Sequence, residues 1–260
     1  MPRAGSEVLQ VLLHQNPRIY AGATSPLLEY QFAARGNYEL PEVKSQDSKI
    51  MQQAFLSMCK GMADSYYSAV TDRPIVIDKN RGWAHYYEWV EQWNSDPKII
   101  CMVRDLRSII SSMEKIYRKN RFRPAGPDNP TQLSNMTIYQ RTNHWLSNQP
   151  VGLALMRTMD TFNRDLNKKM LFIRYEDLCE NPQATMKKLY QFIGEEYYEH
   201  DFNNITKVVY EDDSHFGPYG NHSVASKLSV IPKDYNEILG KDVAAKLRSD
   251  YSWYFDAFGY

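Results

Sequence analysis

Three short runs of apolar, mostly β-branched residues alternate with helical stretches along this chain of 260 residues. The runs are RPIVID (73–78), KIICMV (98–103) and MLFIRY (170–175). Short apolar runs bounded by polar residues indicate buried strands. Strands that alternate with helices favour a parallel sheet covered on both faces. The expected fold class is therefore α/β, a parallel sheet flanked by helices.

Apolar residues at helical spacing predict the elements between these strands. The expected helices cover about 6–15, 26–35, 47–70, 84–94, 107–118, 137–168 with a break near Gln149-Pro150, 182–193 and 241–255. The segment 121–132 holds three prolines and a glycine and is expected to be a loop. The tail over 197–232 is expected to be an irregular C-terminal segment. One domain over 1–260 accounts for the whole pattern.

Composition narrows the class of protein. Lysine plus arginine and aspartate plus glutamate number 31 each, which argues against a dedicated nucleic-acid binder. No apolar run approaches the roughly 20 residues that span a bilayer, and no signal-peptide pattern opens the sequence. Cys59, Cys101 and Cys179 are far apart and odd in number, which favours free thiols in a reducing compartment. A cytoplasmic protein without a membrane partner is expected.

Polar residues stand where each expected strand ends. Lys79 follows the first run, Arg104 follows the second and Tyr175 closes the third. Ligands of parallel sheets bind beyond the carboxyl ends of the strands. These three side chains are therefore candidates for one binding site.

The segment PRAGS precedes the first expected helix. Backbone N–H groups near Gly5, the Ser6 hydroxyl and the Arg3 guanidinium can together hold an anion at a helix N-terminus. Taken alone, an ordinary helix start with Ser6 near the cap explains the segment better. It is not a Walker A loop, because G-x-x-x-x-G-K-[ST] is absent.

The segment VRDLRSIISS places Arg104 at a strand end and Ser112 eight residues later. If the segment after Arg107 is helical, Arg104 and Ser112 can reach one phosphate. Taken alone, a surface salt bridge between Arg104 and Asp105 is an equally good explanation.

The order and spacing of four segments resemble the sulfotransferase family. They are PRAGSEVLQVLL, IDKN, VRDLRSIISS and RYEDLCENPQATMKKLYQFIG, and NHSVASKLSV near the end is a weaker echo. The branch that includes tyrosylprotein sulfotransferases and many bacterial and phage enzymes is the most similar. The resemblance implies a P-loop-like fold and 3′-phosphoadenosine 5′-phosphosulfate as donor, with 3′-phosphoadenosine 5′-phosphate as product.

The resemblance also implies roles for individual residues. The loop for the 5′-phosphosulfate corresponds to Arg3, Ala4, Gly5, Ser6 and Glu7. Arg104 and Ser112 correspond to the pair that binds the 3′-phosphate, and Tyr175 corresponds to the tyrosine beside adenine. Lys79 corresponds to the lysine that approaches the transferred sulfate. The stretch His222 to Lys227 resembles the loop that closes over the donor, with Lys227 as its phosphate contact.

Sulfuryl transfer through these groups needs positive charge and positioning, as phosphoryl transfer does. Arg3 and Lys79 would stabilise the leaving phosphate and the moving sulfuryl group, and no metal is expected. Four residues of the irregular tail could be interpreted as metal ligands, but they are better expected to be solvated polar side chains. Those residues are Asp212, Asp213, His215 and His222.

Three departures from the family pattern stand out. The family's loop follows a strand, whereas Met1 alone precedes Pro2 here, so a truncated N-terminal strand is expected. Glu7 stands where a small hydroxyl residue is usual, and it is expected to rotate away, pair with Arg3 or oppose the donor. Thr24 occupies the position of the catalytic glutamate. Glu29 is the nearest downstream carboxylate and the base predicted here, although a solvent-facing helix residue explains it slightly better. His85 and Glu88 are other candidates.

The function expected is sulfuryl transfer to a hydroxyl or amine of a small-molecule or peptide acceptor. A catalytically impaired nucleotide-binding relative and a P-loop kinase are the alternatives. Glu7 and Thr24 favour the first alternative, and the missing Walker lysine disfavours the second. A homodimer is one possible assembly.

Overall fold

Four strands form two parallel pairs in the computed structural model, which describes residues 1–121, 133–207, 211–212, 215, 224–229 and 233–260. The strands are β1 (Ile19–Thr24), β2 (Ile75–Lys79), β3 (Ile100–Val103) and β4 (Leu171–Arg174). β1 pairs with β2, and β3 pairs with β4. The α/β class with parallel strands and flanking helices is confirmed. The hydrogen bonds of the described residues divide the strands into two sheets, where one sheet was expected.

Thirteen α-helices are defined within the described ranges. They are α1 (Ser6–His14), α2 (Leu27–Arg35), α3 (Pro41–Lys44), α4 (Ser48–Val70), α5 (Tyr87–Glu91), α6 (Leu106–Asn120), α7 (Ile138–Ser147), α8 (Val151–Asn163), α9 (Tyr175–Glu180), α10 (Pro182–Ile193), α11 (Tyr235–Leu239), α12 (Lys241–Asp250) and α13 (Ser252–Phe258). Two 3₁₀ turns lie at Gly36–Glu39 and Leu166–Lys169. No described helix combines the length and apolar character of a membrane span.

Local signals in the sequence explain several helix ends. The Asp47 carboxylate accepts the backbone N–H groups of Lys49 and Ile50 at the start of α4. Thr137 and Gln140 form a capping box ahead of α7. Gly194 ends α10 with φ 79°, a left-handed conformation that glycine adopts without a Cβ clash.

Three expectations about elements were wrong. Strand β1 was not expected, and the helix over 84–94 shortens to α5. The single C-terminal helix over 241–255 is two helices, since Tyr251 separates α12 from α13, and Gly240 at φ 88° separates α12 from the short α11 before it. Most of the loop 121–132 lies outside the described residues. The described parts of 197–232 contain no α-helix or strand, as expected.

Two apolar clusters fix the strand ends in place. The first joins α1, β1, β4, α9 and α10, with Leu12, Ile19 and Leu189 fully buried. The second joins the end of β3 to α6, α7, α8 and the C-terminal helices, with Ile109, Trp145 and Tyr254 at its centre. The loop before α1 and the loop after β3 each lead into a helix of one cluster, so both loops start from buried structure.

Candidate functional site

The loop before α1 has a backbone suited to holding an anion. Arg3 has φ 56° and Gly5 has φ 82°, both in the left-handed region. A non-glycine residue there costs about 1–3 kcal/mol, and such strain concentrates at binding sites. Ala4 is fully buried, and its part in ligand binding stays a prediction.

This loop is attached to β3 and to the residue that follows β3. The Met1 amino group donates to the Met102 carbonyl oxygen over 2.8 Å. The Arg104 guanidinium donates to the Arg3 carbonyl oxygen over 3.1 Å. The loop is therefore fixed to the strand that Arg104 follows. The expectation of a further strand ahead of Pro2 stays a prediction.

Four of the residues expected to bind the donor form one contact cluster. Arg3 Nε donates to Ser112 Oγ over 3.2 Å, which links the loop to α6. The Arg104 guanidinium lies 5.1 Å from the centroid of the Tyr175 ring. The ion pair that the Asp105 carboxylate forms is with Arg107, at 2.6 Å, and Asp105 also caps α6.

Gly5 lies directly against the Tyr175 ring. A Cβ atom added at Gly5 would stand 2.2 Å from Cδ2 of that ring. Tyr175 is the first residue of α9, immediately after β4, and burial raises the pKa of its hydroxyl. The hydroxyl is therefore neutral and the ring is fixed beside the loop.

Lys79 lies between two carboxylates at the end of β2. Its ammonium group pairs with Glu7 of α1, and Glu211 Oε2 lies 3.3 Å from Nζ. The Thr24 backbone N–H donates to the other oxygen of Glu211, Oε1, over 2.8 Å. Glu7 thus forms an ion pair with Lys79. Pairing of Glu7 with Arg3 was one of the expectations.

Asp78, the residue before Lys79, accepts three side-chain hydrogen bonds. Ser25 Oγ donates to Asp78 Oδ2 over 2.5 Å, and Trp83 Nε1 donates to Oδ1 over 2.5 Å. The Tyr67 hydroxyl of α4 also donates to Oδ2. These three donors come from three separate segments, so they hold the end of β2 and thereby the backbone of Lys79.

One cavity of about 1630 Å³ contains the cluster and Lys79. The candidate residues that line it are Arg3, Gly5, Ser6, Glu7, Lys79, Arg104, Ser112 and Tyr175. Leu27, Tyr67 and Trp83 line another part of it. The expected strand-end residues thus share one cavity with the loop before α1.

Other candidates lie apart from this cluster. Glu29 is exposed and accepts hydrogen bonds from Asn80 Nδ2 at 3.3 and 3.1 Å. His85 Nδ1 lies 3.0 Å from Asp160, and Glu88 pairs with Arg164. Their part in the chemistry stays a prediction.

The C-terminal segment is described only in part. Lys227 is exposed, between Ser226 and Leu228, whose backbones hydrogen-bond to Ile205 and Phe202. His222 and Asp213 lie outside the described residues. In the described ranges, no group of three or more histidine, cysteine, aspartate or glutamate side chains is placed to hold a metal.

Two residues of the site were not found from the sequence. Asp78 follows IVI and precedes Lys79, so its place at a strand end was the available signal. Glu211 carried no usable signal, because it lies in the irregular tail and reaches β1 across 187 residues of sequence.

The chain matches known proteins over most of its length. The sequence pattern of the sulfotransferase family covers residues 1–199. The sulfotransferase domain from the curacin biosynthetic pathway is similar in fold, with TM-score 0.50 and 17% identity over 96% of this chain and 94% of that one. No curated protein matches the sequence.

Two further solved structures are similar. The sulfotransferase domain from the Synechococcus PCC 7002 olefin synthase has TM-score 0.44 and 18% identity over 95% of this chain and 84% of that one. Sulfotransferase STF9 from Mycobacterium avium has TM-score 0.48 and 14% identity over 99% and 74%. With the family pattern matching more than half of its residues, the chain belongs to the sulfotransferase family.

Proposed function

We propose that this sulfotransferase takes its sulfuryl group from 3′-phosphoadenosine 5′-phosphosulfate. The observation that carries the proposal is the cluster of Arg3, Ser112, Arg104 and Tyr175 beside Lys79. Arg104 and Ser112 offer donors for a 3′-phosphate, and the Tyr175 ring offers a face for adenine. The loop at Gly5 and the start of α1 offer backbone N–H groups to the 5′-phosphosulfate.

Charge at the end of β2 suits the transfer step. Negative charge grows on the oxygen that bridges sulfur and phosphorus as the sulfuryl group moves away. Cations aimed at that oxygen stabilise the transition state more than the ground state. Lys79 and Arg3 both line the cavity and are the cations that we assign to this oxygen.

The acceptor class is a hydroxyl or amine on a small molecule or peptide. The cavity of about 1630 Å³ exceeds the usual size of a single ligand pocket, so it has room for donor and acceptor together. Tyr67 and Trp83 line it beyond Lys79 and favour an acceptor with an apolar or aromatic part.

Ligand-induced shifts in melting temperature test the donor. We expect 3′-phosphoadenosine 5′-phosphate to stabilise the protein by about 2.7 kcal/mol at a hundredfold excess over its Kd. Adenosine 5′-phosphate at the same concentration, and ATP with magnesium, should stabilise it less. A larger shift with ATP and magnesium would support a kinase instead.

The catalytically impaired relative is the second candidate because Glu7 pairs with Lys79 and offsets its charge. Transfer of labelled sulfate to a mixed panel of alcohols, phenols and amines separates the two. Binding of 3′-phosphoadenosine 5′-phosphate without transfer to any acceptor would support the impaired relative.

We also propose that the reaction takes place in the cytoplasm. Cys59, Cys101 and Cys179 are all free thiols, which suits a reducing compartment. Burial raises the pKa of Cys101 to about 11, so this thiol is unreactive at neutral pH.

A further inference from the structure

Glu211 lies beside Lys79 at the end of β2, close to where an acceptor proton would need a base. On the basis of the proposed function, we propose that the Glu211 carboxylate is the general base that deprotonates the acceptor. Its Oε2 lies 3.3 Å from Lys79 Nζ, and its Oε1 accepts the Thr24 N–H over 2.8 Å. Its side chain is only 7% exposed.

The backbone contact fixes the carboxylate at the transfer point. Thr24 is the last residue of β1 and stands opposite Lys79 in the register of the two strands. The Ser25 N–H donates to the Lys79 carbonyl oxygen over 3.0 Å, so the two strand ends stay together. One oxygen of Glu211 is thus held by backbone, and the other is turned toward the lysine of the reaction.

Other acidic groups fit the role less well. Glu29 is exposed and is held by Asn80. Glu7 also pairs with Lys79, but it is in the first turn of α1, directly after the loop that would hold the phosphosulfate. A base on that side would face the leaving phosphate, whereas the acceptor attacks sulfur from the opposite side.

Donor binding would change the surroundings of Glu211. Lys79 is shared by Glu7 and Glu211. When Lys79 turns to the bridging oxygen of the donor, its attraction for Glu211 Oε2 weakens, while Thr24 still holds Oε1. A sheltered carboxylate binds a proton more readily as a neighbouring cation moves away.

The step balances without a further reactant. The acceptor oxygen or nitrogen forms a bond to sulfur, and the bond between sulfur and the bridging oxygen breaks with its electron pair going to the 5′-phosphate. The acceptor proton passes to Glu211 Oε2 and later leaves to water. The products are the sulfated acceptor and 3′-phosphoadenosine 5′-phosphate.

Glu211→Gln tests the proposal, because glutamine keeps an oxygen for the Thr24 N–H and removes the base. Turnover is measured against pH with the acceptor found in the labelled-sulfate panel, or with water as acceptor if the panel yields none. We expect a loss of about 10²- to 10⁴-fold near neutral pH. We also expect the variant to lose the acid limb of the kcat/KM profile.

A second pair of measurements separates a base from a group that only positions Lys79. Phenols that are already ionised at the assay pH need no base, so Glu211→Gln should retain most of its turnover with a nitrophenol and lose it with phenol. Asp212→Asn, the neighbouring exposed carboxylate, serves as the matched control and should match the wild type.

Several outcomes would overturn the proposal. They are an equal loss with both phenols, no loss with either, an unchanged pH profile, and an acid limb lost in Glu29→Gln rather than Glu211→Gln. Where Glu211→Gln folds poorly, Glu211→Ala with added formate replaces it, and the absence of rescue counts against the base. Calorimetric titration of the wild type with 3′-phosphoadenosine 5′-phosphate tests the proposed function separately. Loss of the base should leave the affinity of Glu211→Gln for this ligand within about threefold of the wild-type affinity.

Discussion

Arg3 Nε donates a hydrogen bond to Ser112 Oγ over 3.2 Å, although 109 residues separate the two in sequence. Arg3 belongs to the loop expected at the 5′-phosphosulfate, and Ser112 belongs to the pair expected at the 3′-phosphate. This contact brings the residues expected at the two phosphates within hydrogen-bonding distance of each other. The contact supports the proposed donor, which carries phosphates at both positions.

The first prediction concerns the 3′-phosphate. Arg104→Ala and Ser112→Ala should each weaken binding of 3′-phosphoadenosine 5′-phosphate more than binding of adenosine 5′-phosphate. A hydrogen bond to a charged group is worth about 1.5–3 kcal/mol, so a loss of tenfold or more is expected for the first ligand. Calorimetric titration measures both affinities. Ser57→Ala, at an exposed position of α4, is the control, and equal losses for the two ligands would refute the assignment.

The second prediction concerns the contact of Gly5 with Tyr175. Gly5→Ala places a Cβ 2.2 Å from the ring and puts alanine at φ 82°. We expect the ring or the loop to move, with a stability loss of about 1–3 kcal/mol and weaker donor binding. Gly61→Ala is the control, because no atom lies within 4 Å of its added Cβ in the middle of α4. That variant should be neutral or more stable by up to about 1 kcal/mol. Urea unfolding and calorimetry together measure both, and a fully stable Gly5→Ala protein with normal affinity would contradict the prediction.

The strands that were predicted and the strand that was missed differ in composition. β2, β3 and β4 contain β-branched or large apolar residues in unbroken runs. β1 reads IYAGAT, and its alanines and glycine carry little strand propensity. Its conformation depends on the pairing of Ile19 with Ile75 and of Tyr20 with Val76. A contact between residues so distant in sequence has no local signal.

The residues of the candidate site also divide into those that the sequence predicted and those that it did not. Lys79, Arg104 and Tyr175 follow apolar runs, so their position at strand ends was readable. Glu211 acquires its position from the Thr24 N–H and from Lys79, both far away in sequence. Residues brought to a site by an irregular segment cannot be found from periodicity, because such a segment has none.

The third prediction concerns Lys79. Lys79→Ala should lower kcat by about 10²- to 10³-fold and change donor affinity much less, since its contact strengthens as charge develops on the leaving oxygen. Steady-state kinetics with the identified acceptor and calorimetry with 3′-phosphoadenosine 5′-phosphate measure the two effects. An unchanged kcat with a raised donor KM would show that Lys79 only binds the donor.

The fourth prediction concerns Glu7, which pairs with Lys79. Glu7→Thr removes a negative charge beside the expected phosphosulfate, frees Lys79 and supplies a hydroxyl. We expect donor affinity to rise by about tenfold or more, because two unit charges about 4 Å apart repel by roughly 4 kcal/mol at an effective dielectric of 20. Apo stability should be unchanged or slightly lower, since an acidic side chain in the first turn favours a helix by about 0.3–1 kcal/mol. Calorimetry and melting curves test both, and weaker binding by the variant would mean that Glu7 holds Lys79 or the loop in its binding geometry.

The last prediction concerns a buried ion pair behind the site. Glu114 of α6 is fully buried, and its oxygens accept from Arg141 Nε at 2.8 Å, from Arg141 Nη2 at 2.7 Å and from Arg118 Nε at 2.7 Å. Glu114→Ala leaves the Arg141 charge buried without its carboxylate, which typically costs about 3–5 kcal/mol of unfolding free energy. Asp250→Ala removes a half-exposed partner of Lys246 and should cost less than about 1 kcal/mol.

The effect of Glu114 should depend on pH in a defined direction. Burial alone would raise the pKa of its carboxyl, but the hydrogen bonds from Arg141 and Arg118 outweigh burial and hold the pKa below its ordinary value. A carboxyl with a lowered folded-state pKa contributes stability that is complete above its unfolded pKa and is lost as pH falls through its folded pKa. The difference in unfolding free energy between wild type and Glu114→Gln should therefore be full at neutral pH and shrink below about pH 4. Urea titrations of both proteins across that range measure it, and a difference that grew as the pH fell would show that the paired carboxylate is not the source of the stability.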